Sequence, residues 1–236
     1  DSEKGRNGAE NGTVTINGST EGVTVTVAVI TYPGSDYYHG FTSLADAIEF
    51  AKAGDVVTLI RDITSNSIIT IDKAITLDGN GKKLTSTAGR AINVSGADGV
   101  TIKNLTINAS GERAINVIQN ATNVTIDNVT ATAKNYTVNV AASAPNAKVA
   151  ISGSTLNGLC TLNVSAAGAQ VTVVNSTVNC NDNNTTAGES YAALCLNKAA
   201  VGASIVATNT TVNVTEGSDS EKGRNGAENG TVTING

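Results

Sequence analysis

The side chains that could support catalysis or bind a metal are few in this sequence. It contains one histidine, His39, and three cysteines, none of which shows the CxxC spacing typical of a zinc site. Hydrolysis of a glycosidic bond needs two carboxyl groups ~5–10 Å apart. The acids between residues 79 and 217 fall mostly at different positions of the internal repeat described below: Asp98, Glu112, Asp127, Asp182, Glu189 and Glu216. The sequence therefore predicts no catalytic residue, no metal site and no cofactor.

Binding to a ligand or partner requires less than catalysis, and three groups of residues are candidates for it. Tyr37 and Tyr38 are adjacent aromatic residues against which a sugar ring could stack. Arg90 and Arg113 occupy equivalent positions of successive repeats, where they could contact a sugar acid or form a solvent-exposed salt bridge with Glu112. A polar insertion supplies four more candidates, because insertions in repeat proteins often lie on the binding face: Asp182, Asn183, Asn184 and Glu189.

The composition argues against several classes of protein. A formal net charge of -5 and a pI near 4.9 leave no basic surface for nucleic acid. No segment approaches the ~18–20 consecutive apolar residues of a membrane-spanning helix, so no membrane insertion is expected. Only 3% of the residues are aromatic and 15% charged, against 40% hydrophobic, which favours a repetitive β structure over a globular enzyme.

A short apolar box recurs along the chain in steps of 23, 23, 24 and 32 residues. Between successive boxes lie two more short segments in which apolar and polar residues alternate, as β-strands with one buried face do. This pattern predicts an all-β fold, a right-handed parallel β-helix with three strands and about 23 residues per coil, over about Ile68 to Val214. The boxes are Ala91-Ile92-Asn93-Val94, Ala114-Ile115-Asn116-Val117, Thr137-Val138-Asn139-Val140, Thr161-Leu162-Asn163-Val164 and Ala193-Leu194-Cys195-Leu196.

The corner between the second and third strand of each repeat is also marked in the sequence. Asn and Gly tolerate the left-handed backbone that a tight corner needs. We therefore expect a stack of such residues at this corner, with a structural role: Asn104, Asn128, Gly153, Asn175 and Asn209.

The segment before the repeats predicts a cap and a small antiparallel element. Residues 41–54 predict one helix with Thr42 or Ser43 as its N-cap, and its apolar stripe suits a lid over the first coil. Val23–Ile30 alternates and is expected to form a hairpin with Thr13–Ile16, and Thr31–Gly40 is expected to be a connecting loop. The predicted domains are residues 1–40 (hairpin and loop), 41–217 (helix and β-helix) and 218–236.

The opening of the repetitive region resembles a known family. The runs SLADAI from Ser43, AKAGDVVTL from Ala51 and IDKAITLDGNGKKL from Ile71 resemble the start of right-handed β-helix domains of the pectate-lyase-like superfamily, as found in microbial cell-surface and adhesin-like proteins. The resemblance covers roughly Phe41 to Val214. It implies the fold more than the activity, because that architecture hosts lyases, hydrolases and non-catalytic shafts.

The first eighteen residues return unchanged as residues 219–236. Three explanations are open: an engineered duplication, a natural tandem array with a period of 218 residues, or a fibre subunit whose terminal strand docks into a neighbouring molecule. The predicted assembly strands are the same four residues in each copy: Thr13, Val14, Thr15 and Ile16, and Thr231, Val232, Thr233 and Ile234.

These observations predict a non-catalytic structural or adhesive repeat module of an extracellular surface protein or fibre. Its partners would be neighbouring copies of the same unit and a host or environmental polysaccharide. A disulfide between Cys160 and Cys180, on neighbouring coils, would suit that location, as would the many Asn-x-Ser/Thr sequons, which include Asn93, Asn108, Asn120, Asn135, Asn163, Asn184 and Asn213. The alternatives are a polysaccharide lyase or hydrolase on a β-helix scaffold and a self-polymerising fibre subunit that uses strand exchange.

Overall fold

The computed structural model describes residues 25–32, 37–180, 192–214, 226–227 and 230–235. They form an all-β parallel β-solenoid of about 6 turns with about 24 residues per turn, so the predicted fold class is confirmed. Each complete turn contributes one strand to each of three sheets. The described part contains one helix, α1 (Leu44–Phe50).

The strands, numbered along the chain, fall into three sheets. Sheet 1 contains β1 (Ala28–Thr31), β2 (Tyr38–Phe41), β3 (Val56–Leu59), β6 (Thr76–Asp78), β9 (Thr101–Lys103), β12 (Val124–Asp127), β15 (Lys148–Ser152), β18 (Gln170–Val174), β21 (Ser204–Thr208) and β24 (Thr231–Asn235). Sheet 2 contains β4 (Ile63–Ser65), β7 (Lys83–Ser86), β10 (Thr106–Ala109), β13 (Thr130–Thr132), β16 (Thr155–Gly158), β19 (Thr177–Cys180) and β22 (Thr211–Val214). Sheet 3 contains β5 (Ile69–Ile71), β8 (Arg90–Ser95), β11 (Arg113–Ile118), β14 (Tyr136–Val140), β17 (Leu162–Val164), β20 (Leu194–Leu196) and β23 (Gly226–Ala227).

The coils are held together by columns of apolar side chains that point inward. Leu77, Ile102 and Ile126 lie side by side on successive strands of sheet 1, and all three are fully buried. Their polar neighbours alternate outward, as the period-two pattern predicts. Burying one such side chain stabilises the fold by roughly 1.5–3 kcal/mol. The stack begins earlier than predicted, because β3, β4 and β5 already form a complete turn from Val56.

The predicted corner between sheets 1 and 2 is confirmed. Asn104, Asn128, Gly153, Asn175 and Asn209 all have positive φ, between 48° and 55°. The Asn128 Nδ2 donates to the Asn104 Oδ1 at 2.9 Å, and the Asn104 Nδ2 donates to the Asp78 Oδ1 at 3.1 Å. The corner residues therefore supply both the turn conformation and hydrogen bonds between coils.

A second stack of asparagines runs along sheet 3. The Nδ2 of each asparagine donates to the Oδ1 of the one before it, from Asn116 to Asn93 at 3.0 Å, from Asn139 to Asn116 at 2.7 Å and from Asn163 to Asn139 at 2.7 Å. Asn116, Asn139 and Asn163 are buried, although the alternation places them on the outer face. Asn116 and Asn139 each use a donor and an acceptor within the stack, which offsets the penalty of their burial.

The element before the first coil differs from the predicted hairpin and loop. β1 lies between β2 and β3 and pairs antiparallel with both, so it extends sheet 1. Residues 38–40, predicted as part of a loop, therefore belong to a strand, which also includes Phe41. The predicted partner Thr13–Ile16 lies outside the described residues, but both edges of Ala28–Ile30 are already occupied.

The helix is shorter than the predicted one over residues 41–54. It starts after Ser43, whose Oγ accepts a hydrogen bond from the Asp46 N–H at 3.4 Å, so Ser43 is the N-cap. Phe41 is excluded because it belongs to β2. Leu44, Ala47 and Ile48 are buried against β1, β2, β3 and β5, which places α1 over the first coil as predicted.

Candidate functional site

The C-terminal end of the solenoid is formed by the second copy of the duplicated segment. β23 pairs in parallel with β20, and β24 pairs in parallel with β21. The predicted assembly residues Thr231 to Ile234 all belong to β24, which occupies the place of the next strand in sheet 1. Val232 lies beside the buried Ile205 and packs against the core. Ile234, two residues further, is 45% exposed.

The N-terminal end of sheet 1 carries an aromatic cluster that the sequence did not reveal. The rings of His39 and Phe50 lie 4.5 Å apart, those of His39 and Phe41 4.9 Å, and those of Phe41 and Phe50 5.3 Å. Phe50 is 48% exposed and His39 is also exposed. We refer to His39, Phe41 and Phe50 as the aromatic cluster. The two-residue spacing of His39 and Phe41, typical of one face of a strand, was the signal that could have indicated it.

The two tyrosines predicted to contact a ligand lie beside this cluster. Tyr38 belongs to β2 and is 40% exposed, and Tyr37, just before the strand, is 55% exposed. Because successive side chains of a strand point to opposite faces, Tyr38 lies on the face opposite to His39. The two tyrosines are thus placed at the edge of sheet 1, at the opposite end from β24.

The arginine pair predicted from the repeat is in register and half-buried. Arg90 lies beside Arg113 on adjacent strands, and Arg113 lies beside Tyr136. The Arg113 Cζ is 5.3 Å from the centre of the Tyr136 ring, and its Nη2 is 3.5 Å from the Glu112 Oε2. The Glu112 carboxylate therefore contacts the Arg113 guanidinium, and Arg90 occupies the equivalent position of the preceding coil.

The Nε–H groups of this pair are a further sign of an incomplete site. Neither the Nε of Arg90 nor that of Arg113 has a hydrogen-bond partner among the residues that the structure describes, although both atoms are buried. Burial raises the pKa of the Tyr136 hydroxyl, so the ring beside Arg113 stays neutral at physiological pH.

The charged residues of sheet 1 form an alternating column rather than a catalytic pair. Lys103 lies between Asp78 and Asp127 on adjacent strands, with its Nζ 3.3 Å from the Asp78 Oδ2. Burial acts to raise the pKa of Asp78, but hydrogen bonds from the Asn80 N–H and the Asn104 Nδ2, together with Lys103, outweigh it and lower the pKa. Asp78 is therefore ionised at neutral pH and acts as an acceptor between coils.

Two of the cysteines lie on neighbouring coils, as the repeat predicts. Cys180 lies beside Gly158, and Cys160 is two residues further along the chain than Gly158. The Cys180 Sγ–H donates to the Leu159 carbonyl at 3.0 Å. The Cys160–Cys180 disulfide stays a prediction. Cys195 lies beside Asn163, at the end of the asparagine stack of sheet 3.

Other predicted contact residues lie outside the described part of the chain. They are Thr13, Val14, Thr15 and Ile16 of the first duplicated segment and Asp182, Asn183, Asn184 and Glu189 of the polar insertion. Over the described ranges, no group of three or more His, Cys, Asp and Glu side chains is arranged to hold a metal ion. Over the same ranges, no helix has the length and apolarity needed to cross a bilayer.

Comparison of the chain with family models, with curated proteins and with solved structures finds no match. The class of the molecule follows from its own geometry: it is a parallel β-solenoid. The resemblance to the pectate-lyase-like superfamily remains a prediction from the sequence.

Proposed function

We propose that this chain is a non-catalytic structural and adhesive repeat module of an extracellular surface protein or fibre, joined end to end with further copies of itself. The observation that carries the proposal is the position of β24. The residues that repeat the start of the unit pair in parallel with the last coil, at the place where the next strand of sheet 1 belongs. The segment that begins one unit thus also completes the unit before it.

The sides of the solenoid support this reading. Its strands pair with the coils above and below, and its outward-facing asparagines are hydrogen-bonded to each other along two further stacks, from Asn128 to Asp78 and from Asn213 to Asn157. Growth of the molecule is then possible only at its two ends, because repeat solenoids make contacts between nearest neighbours. An array of such units would be a rod. A spacer that holds a binding site away from a surface needs this shape.

Electron microscopy of a protein with the 218-residue unit repeated three times tests the array. We expect straight rods whose length increases by a constant amount when a fourth unit is added. Separate particles at variable angles, as beads on a string, would contradict a rigid spacer. The protein with one unit is the size standard for both measurements.

The adhesive part of the proposal involves Arg90, Arg113 and the tyrosines Tyr37 and Tyr38, with an acidic polysaccharide as the partner. Two half-buried guanidinium groups lie in register, and one of them contacts Glu112, so their terminal N–H groups suit the carboxylate of a sugar acid. We expect retention on uronic-acid polymers that is lost in an Arg90→Ala, Arg113→Ala double variant. The matched control is a Lys52→Ala, Lys148→Ala double variant, which removes two exposed positive charges away from the arginine pair.

Incubation with the same uronic-acid polymers also tests the alternative that the chain is a lyase or hydrolase, activities that the predicted superfamily includes. A polysaccharide that is bound and recovered intact supports an adhesive module. New unsaturated or reducing ends, formed in proportion to protein concentration, would instead show that the chain is an enzyme.

A further inference from the structure

Among the strands that the structure describes, sheet 1 ends in two strand edges without a further partner, one at each end of the solenoid. Its strand order starts with β2 and finishes with β24, and within the described ranges β2 pairs with β1 alone and β24 with β21 alone. The Thr231 N–H donates to the Ala203 carbonyl at 3.0 Å, towards the last coil. Because N–H groups alternate between the two sides of a strand, those of Val232 and Ile234 point away from the solenoid. Such an edge is a template for another strand.

The directions of the terminal strands allow the two edges to meet. β24 runs parallel to β21, and β3 runs parallel to the strands that follow it. β1 is antiparallel to β3, and β2 is antiparallel to β1, so β2 runs in the same direction as β24. If the units are stacked head to tail, β24 of one unit and β2 of the next form a parallel pair.

The covalent connection between units fits the same arrangement. Since β1 is antiparallel to β3, it begins at the side of the sheet where β24 ends. The two chain positions would be separated by the width of one intervening strand, which is two strand spacings or ~10 Å. Residues 18–27, which separate the duplicated strand from β1, span up to ~33 Å when extended. The chain can therefore pass over β2 and enter β1 without strain.

The side chains at the two edges are complementary. Val232 and Ile234 point to the inner side of sheet 1, where Ile234 is 45% exposed. On β2 the residues that lie beside the buried Ile30 and Ala28 are His39 and Phe41, both members of the partly exposed aromatic cluster. Pairing of the two edges would place an aliphatic pair against the aromatic cluster and remove both from water.

We propose that β24 of one copy of this chain binds the outer edge of β2 of a second copy in parallel, so that sheet 1 runs uninterrupted from unit to unit. The partner is the next unit of the array, and the proposal rests on the function proposed above. One five-residue strand against one four-residue strand buries less than the ~1,200 Å² of a stable interface between separate molecules. A ten-residue connection supplies an effective concentration in the millimolar range, which makes the same contact favourable within one array.

Hydrogen exchange read residue by residue tests this pairing in a two-unit protein, with the one-unit chain as reference. In the two-unit protein, the amides of Val232 and Ile234 at the junction should exchange on the order of 100-fold more slowly than in the one-unit chain. The amides of Thr231 and Thr233 are an internal control, because they face β21 and should be protected in both proteins.

A pair of proline variants makes the test directional. Val232→Pro at the junction removes an N–H that points to the neighbouring unit and should turn a straight two-unit rod into two particles at variable angles. Thr233→Pro removes an N–H that points to β21, so it should release the whole strand and expose the Thr231 amide as well.

The outcomes separate this inference from the function on which it rests. Straight two-unit rods with slow exchange at Val232 and Ile234 support both. Straight rods in which these two amides exchange as fast as in the one-unit chain keep the rigid array and overturn the strand pairing. Two units that move independently overturn both.

Discussion

The inner coils and the two terminal strands of sheet 1 are built from similar residues, but inner strands have neighbouring strands on both sides and terminal strands have one on one side. On an inner strand such as β12, the apolar residues lie beside equivalent residues of the coils on both sides and are fully buried. On β24 the equivalent Val232 and Ile234 have one described neighbour each, and Ile234 is 45% exposed. At the other end, the cluster around Phe50 is exposed to a similar extent. A strand of this type is therefore fully covered inside the stack and only partly covered at either end of it.

In a solenoid of this kind, only the interior strands have neighbours on both sides that bury their inward-facing apolar side chains and pair with their backbone groups. Strand pairing, apolar columns and asparagine stacks all need a neighbour on each side. The helix α1 covers the inside of the first coil through Leu44, Ala47 and Ile48 but does not pair with the outer edge of β2. The ends are therefore where assembly with another copy gains most.

The largest difference between interior and end should appear in the apolar columns. Ile126→Ala removes a fully buried side chain and should lower the free energy of unfolding by ~2–5 kcal/mol. Val232→Ala removes a smaller, partly buried side chain and should cost about 1 kcal/mol or less. Urea unfolding of the one-unit chain measures both. Equal losses would mean that β24 is packed as firmly as an inner strand.

The asparagine stacks should show the same difference between interior and end, with smaller losses of stability. Asn139→Ala leaves the buried Oδ1 of Asn116 and the Nδ2 of Asn163 without their bonds from Asn139, and should cost ~1–3 kcal/mol. Asn213→Ala, at the exposed end of the stack that starts at Asn157, should stay within ~0.5 kcal/mol of the parent. Denaturation midpoints at one protein concentration are sufficient to compare them. If Asn139→Ala leaves the stability unchanged, water must replace the lost hydrogen bonds of the buried stack.

The corner residues should behave alike in the interior and at the end. Asn128 has φ 51° and Asn209 has φ 48°, and the cost of left-handed backbone is local. Asn128→Ala and Asn209→Ala should each lose about 1 kcal/mol, while Asn128→Gly should lose less because glycine adopts this φ freely. If only the inner variant loses stability, the hydrogen bond to Asn104 and not the backbone is the main contribution.

The smallest effect should come from Asp78 and should depend on pH. Its pKa is lowered in the folded state, so its contribution is complete above the unfolded pKa of about 3.9 and is lost as the pH falls through the lower folded pKa. Asp78→Asn should cost about 0.5–1 kcal/mol at pH 7, and the difference from the parent should disappear in that acidic range. Lys103→Met should reproduce part of the loss. A difference that persists below the folded pKa would assign the effect to packing.

Much of the interior could be predicted from the sequence because each coil repeats the same local rules. The Asn-Val pairs at steps of 23, 23 and 24 residues predicted which residues share a column, and the structure pairs Asn93, Asn116, Asn139 and Asn163 in that register. The alternation fixed which side chains point inward. The corner asparagines identified the positive φ values, because few other residue types adopt them without strain.

The ends were predicted less well because they have no repeat to constrain them. The alternation of Val23–Ile30 indicates a strand but does not identify its partner. The residues from Tyr38 to Gly40 were interpreted as loop because Tyr, His and Gly give a weak strand pattern. Cys160 and Cys180 were assigned to neighbouring coils correctly, and the disulfide between them stays a prediction.

The sequence by itself determined the coil, since period-two alternation inside a 23-residue repeat leaves one way to bury its Ile, Val and Leu side chains. Only the tertiary structure decided that β1 lies between β2 and β3, that His39, Phe41 and Phe50 form one cluster, and that the duplicated strand completes sheet 1. The apolar columns come from a pattern that recurs in every coil, so the order of residues within each coil predicts them. An edge is defined by which distant strand is its neighbour, and no single segment contains that information.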